Sequence, residues 1–231
     1  MPKMNKRTRE NQKLIPSDAL PAPEAIAALK KFKGPKFDQS VEIALHLGID
    51  TKQADQQIRG SVSLPKGIGK SKRVVAFCQQ DVARAALEAG AIKAGAEELV
   101  EEIQKGWAEF DVAVASPDMM RVISILGKVL GPKGLMPSPK NGTVTKDVAQ
   151  AVKEFAAGKV EYRADKSGNV HAVIGKMSFP DADLLENLNH FMATIEKARP
   201  QSVKGVYVRN VSVSGSMTPG VRLKLEAAAE A

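Results

Sequence analysis

The sequence predicts an α+β domain interrupted by an inserted α/β module, and two observations carry that prediction. The first is a change of rhythm. Beyond about Gly67 the chain alternates strand-like and helix-like stretches, and beyond Lys159 it reverts to strands around one long helix. The second is a shortage of strands: neither 1–67 nor 160–231 holds enough for a sheet of its own, so the two ends are expected to join around the insertion 68–159. Charge then separates the jobs of the two modules rather than their folds. Residues 68–159 carry 13 Lys+Arg against 11 Asp+Glu, a net +2, whereas the whole chain is +8, which leaves +6 on the joined ends.

Composition narrows the function classes. The 231 residues are 43% hydrophobic, with a mean hydropathy of -0.20 and a pI near 9.5, a basic balance that favours an anionic partner such as nucleic acid or a membrane surface. Apolar runs fall far short of the roughly 18 residues a membrane span needs, and the N-terminus has no apolar signal region, so a cytoplasmic protein without a membrane partner is expected. Cys78 is the only cysteine, which excludes an intramolecular disulfide and a cysteine-based zinc cluster; closing an apolar run, it reads as a buried, inert thiol. His46, His171 and His190 are scattered without ligand spacing or a neighbouring nucleophile motif. No metal, cofactor or catalytic residue is expected.

In chain order, Met1–Lys13 carries Lys3, Lys6, Arg7, Arg9 and Lys13 against Glu10 alone, a basic arm or a solvated terminus. Glu24–Phe32 suits a helix stopped by Gly34-Pro35, and Ser40–Leu47 alternates as a strand with one buried face. A second strand is expected at Ile58–Leu64, then a turn or hinge at Pro65–Lys70. Gly69-Lys70-Ser71 imitates the end of a nucleotide loop, but Leu64 stands where that loop needs glycine and a strand follows instead of a helix. The insertion then reads as strand 73–78, helix 80–89, polar helix 97–105, strand 111–115 and a helix 117–130 capped by Ser116, with Met119, Val122, Ile123, Leu126 and Val129 inward. Leu135-Met136 is expected as a short strand and Thr145 as the start of a helix that buries Val148, Ala151, Val152 and Phe155 before Gly158. Strands at 160–163, 170–175 and 205–214 surround a helix 180–198, where Ser178-Phe-Pro-Asp181 matches a capping box and Leu184, Leu185, Leu188, Phe191, Met192 and Ile195 form the buried stripe.

Ser124–Thr145 concentrates glycine, proline and lysine, and at first suggests a phosphate-binding loop. It lacks the lysine-then-hydroxyl ending, a nearby acidic metal pair and a helix directly after the glycines, which argues against a nucleotide enzyme. Within it, Ile125-Leu-Gly-Lys-Val-Leu-Gly-Pro-Lys-Gly-Leu-Met-Pro-Ser-Pro-Lys140 resembles the L-one family of large-subunit ribosomal proteins. Lys36-Phe-Asp-Gln-Ser-Val-Glu-Ile-Ala-Leu-His-Leu-Gly-Ile-Asp50, Ala54-Asp-Gln-Gln-Ile-Arg-Gly60, Gly158-Lys-Val-Glu-Tyr-Arg-Ala-Asp-Lys-Ser-Gly168 and Ser216-Met-Thr-Pro-Gly220 resemble it too, in the family's order and over nearly the whole chain.

The resemblance implies a discontinuous ferredoxin-like (split β-α-β) domain, 1–67 plus 160–231, that grips folded large-subunit rRNA of the mobile stalk. It implies an inserted three-layer Rossmann-like domain, 68–159. A non-enzymatic protein of the ribosome is expected, monomeric when free, that assists release of deacylated tRNA from the exit site and, in bacterial-type members, represses translation of its own mRNA through the leader.

By position, the resemblance places RNA contacts at Lys36, Phe37 and Ser40, at Asp165, Lys166, Ser167 and His171 around a turn, and at Asn210, Ser216, Met217, Thr218 and Gly220 near the end of the last strand. Lys128, Lys133 and Lys140 would be secondary contacts. Hydroxyls and amides suit 2'-hydroxyls and phosphates, Lys166 neutralises charge, and Phe37 and Met217 offer apolar contact to a sugar or base. On the residues alone, Phe37 could be a core staple, Met217 gap-filling core and the turn a plain hairpin; only the resemblance tips them toward function. Thr218 stands where the family usually has glycine and Asn210 where serine is expected, so binding should be kept with altered contacts.

Overall fold

The basic N-terminal stretch is a docked helix, not an arm. Asn5 caps α1 (Lys6–Lys13) by accepting from the Arg7 amide at 3.1 Å. Asn11 is buried, donating through its side-chain amide to the Lys33 carbonyl (3.0 Å) and accepting from the Lys33 N–H (2.9 Å). Lys3 lies outside the described residues, which are 5–53 and 55–225 of this computed structural model. Helix α2 (Ala22–Lys30) starts with a proline in its first turn, has Glu24 near its positive end, and buries Ala25, Ile26 and Leu29. Strand β1 (Ser40–Leu47) alternates half-buried and buried residues along its whole length, and β2 (Arg59–Val62) repeats the pattern. In the turns that follow, Gly67 and Gly69 take φ of 63° and 70°, a left-handed backbone that a β-carbon would strain.

Lys70–Glu161 is one compact unit. It runs β3 (Val74–Phe77), α3 (Gln80–Glu88), β4 (Lys93–Gly95), α4 (Glu97–Gln104) and β5 (Val112–Ala115), with the strands parallel in the order β4-β3-β5. All of β3 is buried because both faces of the sheet are covered. Phe77 and Val75 pack with Leu99, Ile103, Ile123 and Leu126 on one side; Val74 and Ala76 pack with Ala86, Val148, Val152 and Phe155 on the other. Cys78 is buried there, and burial raises its thiol pKa, so it stays protonated and unreactive.

Four local expectations fail in this unit. The helix over 117–130 is segmented into a 3-10 turn Pro117–Met119, α5 (Met120–Ile123), a 3-10 turn Ser124–Leu126 and α6 (Gly127–Leu130). Ser124 Oγ donates to the Arg121 carbonyl at 2.6 Å, a local bond that competes with the helical ladder, and Gly127 weakens the helix further. Its apolar side survives, with Met119, Ile123, Leu126 and Leu130 buried. Ser116 makes no cap, and its buried hydroxyl has no hydrogen-bond partner among the described residues. Leu135-Met136 is loop; Val144 instead bridges Ala115 at the sheet edge. Helix α7 (Val148–Ala156) starts at Asp147, whose carboxylate accepts from Gln150 N at 3.3 Å, while Thr145 Oγ1 accepts from Asp147 N at 3.2 Å. Gly158, at φ 106°, ends it as expected.

The chain returns through β6 (Val160–Arg163), paired with β2, then forms β7 (Asn169–Lys176), α8 (Asp181–Lys197), β8 (Val208–Gly215) and β9 (Val221–Arg222). Met1–Gly69 and Tyr162–Ala231 make the second compact unit. Its four-stranded sheet has the order β7-β1-β8-β9, antiparallel throughout, so both ends of the chain build one sheet. Because β7 and β8 flank β1 and both oppose it, they run parallel to each other, and α8 carries the crossover between them. Helices α2 and α8 pack on one face. Leu184, Leu188, Phe191 and Ile195 of α8 are buried, Leu185 and Met192 only half-buried, and Phe191 stands edge-on to Tyr162 at 5.8 Å. Burying each such large side chain is worth about 1.5–3 kcal/mol over leaving it exposed. The expected capping box at α8 is absent, because Ser178 turns to Asp38: its hydroxyl donates to Oδ2 at 2.8 Å and its N–H to Oδ1 at 3.2 Å.

Candidate nucleic-acid interface

Strand alternation gives the four-stranded sheet one covered and one open face. Val41, Ile43, Leu45 and Leu47 of β1 go under the helices, so Ser40, Glu42, Ala44 and His46 project the other way. The register then lays out the open face in rows. Asn169, His46 and Asn210 form one row, and His171, Ala44, Ser212 and Arg222 the next. Val173, Glu42 and Ser214 form a third, and Lys176 faces Ser40 at the end. Amides, hydroxyls, imidazoles and basic groups, with the Glu42 carboxylate among them, thus line the face opposite the one that α2 and α8 cover, and all but the carboxylate suit phosphates and 2'-hydroxyls.

At the Ser40 end, the segment 36–40 and the turn after β8 meet. Thr218 N donates to the Gly215 carbonyl at 3.1 Å, and Gly215 N donates back to Thr218 Oγ1 at 3.0 Å, closing a tight turn. Ser216 N donates to the Ser40 carbonyl (3.1 Å), and Met217 N donates to Gln39 Oε1 (2.8 Å). With its backbone so fixed, the turn presents Met217 to solvent at 56% exposure; Phe37 is 56% exposed as well. Neither is a core residue. Lys36, Ser216 and Gly220 are exposed beside them, and Lys176 Nζ donates to Ser40 Oγ at 3.0 Å. No described non-glycine residue has positive φ, so Thr218 is unstrained, and its hydroxyl supplies a bond that glycine could not.

The Asp165–Gly168 turn belongs to the opposite end. Ser40 pairs with Lys176 and His46 with Asn169, so the turn before β7 lies beyond the Leu47 end of β1, about 23 Å from Ser40 at roughly 3.3 Å per residue. The residues expected to contact RNA are therefore divided: Lys36, Phe37, Ser40, Ser216, Met217, Thr218 and Gly220 at one end, Asp165, Lys166 and Ser167 at the other, and His171 in between. Asn210 lies near the start of β8, on the Asp165 side, not near Met217, and the last strand is β9.

Asp165 builds its turn. Its Oδ1 accepts from Ser167 N and Asn169 N, both at 2.8 Å, and its Oδ2 from Asn169 Nδ2 at 3.1 Å. The Asn169 amide and side chain hold its carboxyl below the usual range, so it stays ionised. Gly168, at φ 79°, closes the turn, and its carbonyl accepts from Leu47 N at 2.9 Å. Lys166 and Ser167 are exposed on it, and the Lys166 carbonyl is tied to Thr51 Oγ1 at 2.7 Å.

Lys128, Lys133 and Lys140 are all exposed, on α6, in the turn after it and in the 3-10 turn Pro139–Asn141 of the other unit. Gln39, Glu42, His46, Asn169, Lys176, Ser212, Ser214 and Arg222 also lie on or beside this face and were not expected there. Alternation in Ser40–Leu47 marks Glu42 and His46 as open-face positions; the others depend on pairings far apart in sequence. Among the described residues, no group of three or more His, Cys, Asp or Glu could hold a metal ion, and no helix is long and apolar enough to cross a membrane.

Residues 29–219 match the Ribosomal protein L1p/L10e family. That family consists of structural RNA-binding proteins of the ribosome, not enzymes. The match spans well over half of the chain and takes in β1, the Asp165 turn, the glycine-rich segment and the Met217 turn, so the protein belongs to the Ribosomal protein L1p/L10e family.

Proposed function

We propose that the protein binds the folded rRNA of the mobile stalk of the large subunit through the open face of its four-stranded sheet. The observation that carries this reading is the polar face opposite α2 and α8, flanked at one end by Phe37 and Met217, two large apolar side chains held in solvent. Folded RNA offers complementary chemistry: phosphates and 2'-hydroxyls for Ser40, Lys176, His171, Asn210 and Ser216, and a splayed base or sugar for Phe37 and Met217. Lys36, Lys166, Ser167, Thr218 and Gly220 extend the contact at the two ends, and Asp165 supports it by shaping its turn. The discontinuous domain, 1–67 plus 160–231, is read as ferredoxin-like, since β7-α8-β8 straddles β1 as a split β-α-β unit. The insertion 68–159 is read as Rossmann-like, with Lys128, Lys133 and Lys140 as secondary contacts to RNA.

On this reading the chain works in the cytoplasm on the ribosome, where it assists release of deacylated tRNA from the exit site. As a free monomer it represses its own translation by binding a similar fold in its mRNA leader. Gel-shift titration against a stalk rRNA fragment tests the RNA claim. The logarithm of affinity should fall linearly with the logarithm of salt, by about 0.7–0.9 per neutralised phosphate. Undetectable or salt-insensitive binding overturns it, and absence from large subunits by mass spectrometry overturns the ribosomal assignment.

A further inference from the structure

The turn that presents Met217 is held by a side chain from far back in the sequence. Gln39 is only 3% exposed, and its Oε1 accepts from Met217 N at 2.8 Å across 178 positions. Its carbonyl accepts from Met177 N at 2.9 Å. Two glycines leave room for its amide: a β-carbon at Gly34 would sit 2.8 Å from Nε2, and one at Gly215 would sit 3.3 Å from Oε1. One buried residue therefore joins three segments: its side-chain amide ties the segment bearing Phe37 to the turn bearing Met217, and its backbone carbonyl ties it to the end of β7 next to Lys176.

Burying a polar amide is costly unless it is hydrogen-bonded, and an apolar side chain of similar shape would fill the same space without that penalty. What the amide secures here is the backbone of a residue whose own side chain is 56% exposed and adds nothing to the core. A partner that docks on Met217 gains when the turn is already ordered, since less freedom is lost on binding. We infer that Gln39 is a positioning residue: it holds the Met217 turn in its RNA-ready form before RNA arrives. This rests on the reading of the Phe37–Met217 end as an RNA contact. Gln39 itself, buried behind the turn, makes no phosphate contact.

The test uses the full chain, the near-isosteric variant Gln39→Met, and a stalk rRNA fragment titrated over a range of salt. Affinity should fall about tenfold, the expected consequence of losing one buried hydrogen bond, with an unchanged salt slope. The Met217 amide should lose its protection from hydrogen exchange in the RNA-free protein. Gly34→Ala, which keeps Gln39 but crowds Nε2, should shift both readouts the same way by less. Unchanged affinity with a deprotected Met217 amide overturns the inference, as does a salt slope reduced by about 1, which would make Gln39 a phosphate contact. An affinity loss matched by a large fall in unfolding temperature also overturns it, returning Gln39 to a purely structural role. Met217→Asp separates the two claims. If that variant binds RNA normally, the interface reading fails; if it abolishes binding while Gln39→Met does not weaken it, only the positioning role fails.

Discussion

On one face of the four-stranded sheet, Val41, Ile43, Leu45 and Leu47 lie under two helices and are at most 1% exposed; on the other, Ser40, Glu42, Ala44 and His46 of the same strand remain partly open to solvent. The two faces share every backbone hydrogen bond of the sheet and differ only in which side chains alternate toward them. Since the period is two, a slip of one residue would exchange the sets, so the apolar face fixes the register that composes the polar one. Stability and recognition should therefore map to different residues a few ångströms apart.

The largest expected effect breaks the covered face. Phe191→Ala removes a fully buried ring that packs edge-on to Tyr162 and should cost about 3–5 kcal/mol in urea unfolding. RNA affinity per folded molecule should not change, and a parallel loss would mean that the faces are not separable. Next in size, Met217→Asp on the open side should weaken RNA binding by at least about a hundredfold, equivalent to about 2.8 kcal/mol, with the thermal midpoint unmoved. A fall in that midpoint would return Met217 to the core.

The smallest effect sharpens the comparison through pH. Tyr207 is buried, donates its hydroxyl to the Ile195 carbonyl at 3.1 Å, and has its pKa pushed from 10.0 up to about 12, chiefly by burial. The folded pKa exceeds the unfolded one, so between these values the unfolded chain releases a proton that the native state keeps. Its contribution is complete below about pH 10 and is lost as pH rises through about 12. Unfolding titrations over that window should show a decline that Tyr207→Phe flattens; an unchanged slope in the variant would remove Tyr207 as its source.

Much of this was legible locally. The bounds of β1 and β6 coincide with those expected because alternation and the flanking turns are local signals, and the α8 stripe stands out at helical spacing. What was missed lacks a local signal. The Lys93–Gly95 strand has three residues without apolar alternation, and β9 has two; both exist because a neighbouring strand supplies the ladder. Ser178 and Thr145 have the chemistry of helix caps, but Asp38 and Asp147 engage them otherwise. The candidate surface was legible in residue type but not in place. Nothing near Asp165 says that it lies at the far end of the sheet from Phe37, and nothing near Gln39 points to Met217.

The position of β1 between β7 and β8 has a consequence for the timing of assembly. Ser40 meets Lys176 across 136 positions and Met217 meets Gln39 across 178, so the Ser40 end of this surface is closed by contacts of very long sequence separation. Synthesis runs from the N-terminus, so β1 emerges with no strand to pair with, while the contiguous stretch 70–161 can close its parallel sheet as soon as it is complete. The open face comes into being only when β8 inserts beside β1 and the Met217 turn closes behind it. On the proposed reading, a nascent chain therefore cannot grip RNA through this face until the Met217 turn has been made.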